Sequence, residues 1–238
     1  MKQVISLFLA VSFLSTAFGQ KTIHDANVEA RNVSSFHAIE VSGGINLYLS
    51  NGDEAVAVSA SNTDVRDRIV TEVKDGVLKI YFDWKNVLKL NLHGNNAMKA
   101  YVSYKTLDRL TASGGSDVKG DGVIKSGSLK IYMSGGSDLS AKVDVGGLTI
   151  NQSGGSDVDL TGHVTDIKIQ ASGGSDFSGY DLVSDNCIIT ASGGSDVNIT
   201  VNKEFYAEAT GASDVNWKGN AQVKGARASG AGSVSHRS

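Results

Sequence analysis

The sequence predicts an all-β fold, a single-stranded β-solenoid with about 20 residues in each coil. Two observations predict it. The pentapeptide Ser-Gly-Gly-Ser-Asp recurs at nearly constant spacing, and apolar residues keep a fixed register to each copy. The chain has 28 glycines and no proline, and 22 of those glycines follow Leu110. An internal period near 20 residues is typical of a solenoid in which each repeat forms one coil.

The pentapeptide begins at Ser113, Ser134, Ser153, Ser172 and Ser192. Altered copies begin at Thr210 and Ser229, which gives successive spacings of 21, 19, 19, 20, 18 and 19 residues. Apolar residues stand three and five positions before each motif and directly after it, with polar residues between them. The residues three positions before are Leu110, Ile131, Ile150, Ile169 and Ile189. Alternation with a period of two indicates half-buried strands and excludes a Gly/Ser linker.

Each coil is therefore expected to contain a strand, the pentapeptide turn, a second strand and a looser turn such as Gly146-Gly147 or Asp185-Asn186. Stacked coils form two sheets of parallel strands about 4.8 Å apart, and the general preference of parallel crossovers predicts a right-handed helix. Glycine is expected in the turn because a connection between two sheets needs positive φ and stacked turns leave little room for Cβ atoms. The predicted turn ladder consists of Gly114, Gly115, Asp117, Gly135, Gly136, Asp138, Gly154, Gly155, Asp157, Gly173, Gly174, Asp176, Gly193, Gly194, Asp196 and Asp214.

The aspartates of this ladder have a structural interpretation, in which each carboxylate caps its own turn by accepting backbone N–H groups. Two alternatives are a calcium site between turns and a pair of catalytic carboxylates. The calcium-binding β-rolls use a nonapeptide with more glycine than the motif found here. An active site brings together unlike groups, whereas this column repeats one group in every coil. Capping is therefore the favoured interpretation, with no metal or cofactor expected.

Residues 36–110 contain strand patterns separated by residues typical of hairpin turns. They are expected to cap the open end of the solenoid. Asn51-Gly52-Asp53 and Asp75-Gly76 each predict a tight hairpin between flanking strands. Residues 63–69 predict a short helical turn with Thr63 or Asp64 as its N-cap. Ser42-Gly43-Gly44-Ile45-Asn46-Leu47 looks like a founding copy of the later motif.

These residues, together with the downstream Ser-Gly-Gly-Ser-Asp repeats, resemble the head GIN domain family of auto-transporter adhesins. The letters GIN correspond to Gly44, Ile45 and Asn46, and the resemblance covers approximately residues 36–220. It implies a secreted two-sheet β-helix without a recognised catalytic set and with an adhesive role. The later copies depart from the pattern, with Ala212 in place of a glycine and Ser233 in place of the aspartate.

Residues 1–19 are typical of a secretory signal, with Lys2, an apolar run and small residues at Ala17 and Gly19. The predicted organisation is a signal peptide over 1–19, a flexible segment over 20–35, the solenoid domain over 36–225 and a last altered coil or tail over 226–238. Within the domain, 36–110 form the cap and 111–225 the repeats. The expected location is periplasmic, outer-surface or secreted, in a Gram-negative bacterium.

Charge and cysteine content exclude several functions. The 22 basic and 25 acidic side chains give a net charge of −3, which lacks the basic excess that nucleic-acid binding requires. Cys187, the only cysteine, falls in an inward column and is expected in the core. The five histidines, at 24, 37, 93, 163 and 236, have no metal-ligand spacing. No segment after the signal is expected to cross a membrane.

The favoured function is a non-catalytic surface for adhesion, with a glycan or a cell-surface protein as candidate partner. An outward face with Lys130, Tyr132, Lys168, Tyr206 and Glu208 suits either such binding or simple solvation. The alternatives are a polysaccharide lyase or hydrolase, with Asp157, Asp176 and Lys168 as candidate groups, and a structural envelope module.

Overall fold

The computed structural model describes residues 27–85 and 97–238, so the predicted signal peptide, His24 and His93 lie outside the described residues. The described residues are nearly all β. In chain order the elements are β1 Glu29–Arg31, β2 Ala38–Ser42, β3 Ile45–Asn51, β4 Ala55–Ser59, α1 Thr63–Arg66, β5 Ile69–Lys74, β6 Val77–Phe82, β7 Met98–Tyr104, β8 Arg109–Ser113, β9 Val118–Ser134, β10 Asp138–Ser153, β11 Asp157–Ala171, β12 Asp176–Ala191, β13 Asp196–Ala209, β14 Asp214–Lys218, β15 Gln222–Ala228 and β16 Ser233–His236.

The repeats wind into a β-solenoid of about seven turns, which confirms the predicted fold class. Strands β9 to β13 pair in parallel with their neighbours in chain order. The register places equivalent residues side by side, for example Asp138 beside Asp157 and Ile150 beside Ile169. The looser second turn does not interrupt this ladder, because Gly147 still pairs with Asp166 in the middle of β10 and β11. Each coil is thus one long strand that bends, followed by the Ser-Gly-Gly-Ser-Asp turn.

The core is a set of stacked columns inside the coils. Ile131, Ile150, Ile169 and Ile189 are fully buried and adjacent in successive coils. Burying an aliphatic side chain of this size contributes about 1.5–3 kcal/mol. The columns therefore account for the apolar residues at these positions, while the positions between them are half-buried or exposed.

The founding copy of the motif forms the first coil. Strand β2, the turn at Gly43-Gly44 and strand β3 lie against β8, the next turn and β9. Ser42 pairs with Ser113 and Leu47 with Val118, the same register that relates later coils.

The remaining N-terminal strands cover the first coil by extending the sheet from both of its strands. From β3 the sheet continues to β7, β4 and β1, and from β2 it continues to β6 and β5. Strands β4, β1 and β5 pair antiparallel with their neighbours, so the parallel ladder ends there. This arrangement agrees with the predicted capping region.

The hairpin predicted at Asn51-Gly52-Asp53 is wrong. The chain does reverse there, but β7 lies between β3 and β4, pairing in parallel with β3 and antiparallel with β4. The Gly52 N–H donates to the Tyr104 carbonyl of β7 at 2.9 Å. In contrast, Asp75-Gly76 does form the predicted hairpin between β5 and β6, with positive φ at both residues.

Two smaller expectations near the N-terminus are also wrong. The segment 20–35 is not flexible throughout, because Glu29–Arg31 form β1 and Glu29 forms an ion pair with Arg66 at 2.9 Å. The N-cap of α1 is Asn62, whose side chain accepts from the Val65 N–H at 2.9 Å, and not Thr63 or Asp64. An asparagine cap serves because its short side chain reaches the first unpaired N–H groups of the helix.

Residues after 225 form a coil and not a tail. Strand β15 pairs with β13, and β16 pairs with β14, in the same parallel register as the earlier coils. Trp217 lies in the inward column, stacked on Phe205 and covered by His236, with ring centroids 4.7 and 4.1 Å away. It therefore fills the inside of the final coils.

Candidate functional site

The turn edge has a strict requirement for glycine at the first of its two glycine positions. Gly173 has a φ of +81°, and a Cβ there would lie 2.6 Å from the Gly154 carbonyl oxygen of the preceding turn. The second position is different in the later turns: φ is not positive at Gly155 or Gly174, and a Cβ at Gly174 would lie 3.9 Å from its nearest neighbour. Ala212 occupies that tolerant second position, which explains how the altered copy keeps the turn.

A buried serine column, which the sequence reasoning missed, holds the turns together. The second serine of six motif copies is fully buried: Ser116, Ser137, Ser156, Ser175, Ser195 and Ser213. The last copy has Gly232 at this position. In the later turns its hydroxyl donates to the carbonyl of the first motif residue, from Ser175 to Ser172 at 3.1 Å and from Ser195 to Ser192 at 3.0 Å. The sequence signal was present, since the serine is as regular as the aspartate that follows it.

The aspartates do not cap the turns, so that interpretation is wrong. Asp138, Asp157, Asp176 and Asp196 are exposed and stacked in register, and within residues 97–238 their carboxylates accept no hydrogen bond. In the later turns the motif serines bond the turn in a different way, because their hydroxyls donate to a carbonyl of the same turn. Among the ladder aspartates, all within the described residues 97–238, Asp214 alone has such a partner, the Ser233 hydroxyl at 2.6 Å. Asp117 is half-buried and its carboxylate likewise accepts no hydrogen bond from this part of the chain.

The aspartate column places one carboxylate per coil in a single row. Across the described parts of the chain, no group of three or more His, Cys, Asp or Glu side chains is placed to hold a metal ion. Asp157 and Asp176 are adjacent and follow their turns. Lys168 lies in the strand segment that precedes the turn, where its neighbours are Thr149 and Ile188. The three groups considered for a lyase or hydrolase thus do not converge.

Cys187 belongs to the core. It is 2% exposed and stacked between Ile167 and Phe205. Burial raises the pKa of its thiol far above the ordinary value, so the reactive thiolate is suppressed.

The strand segment that precedes each Ser-Gly-Gly-Ser-Asp turn presents the outward face expected from the sequence. Arg109, Lys130, Thr149, Lys168, Ile188 and Tyr206 lie side by side in one row across β8 to β13. The next row contains Thr111, Tyr132 and Glu208. We call these two rows, over β8 to β13, the basic face. The Tyr206 hydroxyl donates to the Glu208 carboxylate, and this bond, with burial, raises the pKa of Tyr206.

The basic face leads into an open groove on the N-terminal cap. The groove has a volume of about 600 Å³ and is lined by Glu40, Lys74, Lys79, Arg109, Thr111 and Tyr132, among others. These side chains come from β2, β5, β6, β8 and β9. A second hollow of about 320 Å³ shares Glu40 and Lys79 and extends to Tyr81 and Trp84.

These features define a class of protein: a capped β-solenoid whose repeats build the scaffold and whose outward sheet faces remain open. Within the described ranges, none of the helices is long and apolar enough to span a bilayer. The chain belongs to the family described as "Putative auto-transporter adhesin, head GIN domain", whose model matches residues 35–221.

Solved structures share this fold at low sequence identity. A "putative adhesin" from Bacteroides fragilis has a TM-score of 0.81 at 18% identity, with 88% of this chain and 96% of that one covered. A "putative lipid binding protein" from Parabacteroides distasonis has a TM-score of 0.68 at 17% identity, covering 90% and 98%. A "putative adhesin" from Parabacteroides merdae has a TM-score of 0.67 at 18% identity, covering 89% and 96%. No curated protein matches the chain.

Proposed function

We propose that the protein is a non-catalytic, extracytoplasmic β-solenoid that presents its outward sheet faces for adhesion to a glycan or a surface protein. The observation that carries the proposal is that inward, turn and outward positions of each coil have different roles. Inward columns are apolar and turn positions are fixed by glycine and serine, while the outward rows face solvent. Membership of the head GIN family supports the same role.

The proposal includes export. Residues 1–19 act as a cleaved signal, residues 36–225 form the main solenoid domain, and the coil over 226–238 completes it. Expression of the full chain with its own leader in a Gram-negative host is expected to give an exported protein whose N-terminus is Gln20. Retention of Met1 in a cytoplasmic product would contradict this part of the proposal.

Adhesion is tested by applying the purified exported protein to glycan and envelope-protein arrays, with heat-unfolded protein as the control. The folded protein is expected to bind a limited set of ligands that the unfolded protein does not. No binding across both arrays would contradict the proposal.

Catalysis is tested on the same preparation by measuring release of reducing ends or unsaturated products from polysaccharides. None is expected, because Asp157, Asp176 and Lys168 do not converge. Product release that Asp157→Asn abolishes would establish the enzyme instead.

A further inference from the structure

The groove on the N-terminal cap has an unbalanced set of charges. Lys79 already forms an ion pair with Glu40, at 3.9 Å, and the Glu72 carboxylate accepts from the Tyr81 hydroxyl at 3.3 Å. His37 holds the carboxylate of Asp108, next to Arg109, at 2.8 Å. Of the two carboxylates that line the groove, Glu40 thus has a partner and Asp75 has none within the described residues. Glu72 and Asp108, beside the lining residues Lys79 and Arg109, have partners as well.

Three cations around the groove remain without a carboxylate partner. Arg109 and Lys130 are direct neighbours on β8 and β9, and Lys74 lines the opposite end. Over residues 27–85 and 97–238, no ion pair or side-chain hydrogen bond engages any of the three. Asp75 is the one lining carboxylate left to oppose them. The groove consequently attracts an anion, and a guanidinium beside an ammonium suits a carboxylate or sulfate group.

Exposed aromatic rings stand on the groove and on the hollow beside it. Tyr132 is 38% exposed on the basic face, and Trp84 is 61% exposed beyond β6, held edge-on by Phe82 at 4.7 Å. Flat, exposed rings beside polar groups are suited to pack on the C–H faces of sugar rings. From β9 to β5 the groove crosses four strand spacings, roughly 19 Å, which accommodates several linked sugars.

From the charges and the rings, we propose that this groove binds an acidic oligosaccharide, with Arg109 and Lys130 on its carboxylate or sulfate groups and Tyr132 against a sugar ring. This inference rests on the proposed adhesive function and names its ligand class. The aspartate column repels the same ligand, which restricts binding to the cap and the adjoining basic face.

The test uses calorimetric titration of the full exported protein with oligogalacturonate, hyaluronan oligosaccharides and heparin oligosaccharides. Neutral maltooligosaccharides and polyglutamate serve as comparison ligands. At least one acidic saccharide is expected to bind, more weakly as salt is raised, while maltooligosaccharides do not bind. Arg109→Gln and Tyr132→Ala are each expected to weaken that binding at least tenfold. Lys142→Gln, an exposed lysine of β10 outside the groove, is the matched control and should leave it unchanged.

The outcomes separate this inference from the general function. If no acidic saccharide binds at millimolar concentration, or if Arg109→Gln and Tyr132→Ala bind like the wild type, the groove assignment is overturned. If polyglutamate binds more tightly than every saccharide, the ligand is an acidic peptide and the assignment is again overturned. In either case, binding on the arrays would still support the adhesive function. If nothing binds on the arrays, both the adhesive function and the groove assignment are contradicted.

Discussion

The N-terminal cap and the repeats are built from the same kind of strand but follow different rules. From β9 to β14 each strand pairs with the next in sequence, in parallel, and equivalent positions share one environment. In the cap, β7 separates β3 from β4, and β2 lies between β6 and β8. The difference teaches that repetition produces uniform columns, whereas the groove of unlike side chains arises where strands distant in sequence meet.

The largest expected effect tests the inward columns of the repeats with two neighbouring isoleucines. Ile189 is fully buried, and Ile188 is 51% exposed on the basic face. Ile189→Asp is expected to lower the free energy of unfolding by about 4 kcal/mol or more, because it places a charge in the core. Ile188→Asp should change it by less than about 1 kcal/mol. Denaturant titration followed by circular dichroism measures both.

The same measurement sharpens the idea that equivalent repeat positions are interchangeable. Ile131, Ile150 and Ile169 occupy the column of Ile189. Their aspartate variants should be destabilised to a similar extent. A wide spread among the four would show that the coils are not equivalent.

The next effect distinguishes the turns near the cap from those farther along. Gly173→Ala combines positive φ with a close backbone contact, so a loss of about 3 kcal/mol is expected. Gly136→Ala has positive φ but open space and should cost about 1–2 kcal/mol. Gly174→Ala involves neither a positive φ nor a close contact, so it should leave the free energy of unfolding nearly unchanged. Equal losses at all three positions, measured by thermal unfolding, would rule out this ordering.

The smallest effect concerns the aspartate column. Neighbouring carboxylates about 4.8 Å apart repel by about 0.9 kcal/mol in water, and no hydrogen bond offsets this within the described residues. Asp157→Asn is therefore expected to stabilise the protein by up to about 1 kcal/mol in low salt, with the gain largely lost at 1 M salt. Destabilisation would mean that the carboxylate makes a favourable contact. Asp53→Asn, in the loop before β4, is the control: its carboxylate faces Lys105 at 3.5 Å, so its removal is not expected to stabilise the protein.

Much of the repeat region could be predicted from sequence because its contacts repeat with the motif. The period, the inward columns and the parallel ladder all follow from the spacing of Ile131, Ile150 and Ile169 relative to the glycines. The roles within the turn were harder to assign. Serine and aspartate are equally regular, and only burial shows that Ser175, and not Asp176, bonds the turn.

The cap and its groove could not be predicted in the same way. Asn51-Gly52 predicts a chain reversal between β3 and β4. No local sequence pattern predicts that β7 inserts between these two strands. Likewise Lys74, Arg109 and Tyr132 are far apart in sequence, and only the pairing order of β5, β6, β2, β8 and β9 brings them to one groove.

Removal of one complete coil tests most directly the claim that the repeats are an interchangeable scaffold. Deleting residues 153–171 joins Gln152 to Ser172 and restores the register, because Gln152 and Ala171 are equivalent in adjacent coils. Deleting only residues 153–162 is the control, since it removes part of a coil and breaks the register. The full-coil deletion is expected to remain folded, with a native-like β circular dichroism spectrum and a cooperative thermal transition, while the control unfolds. A full-coil deletion that is as unfolded as the control would contradict the solenoid description.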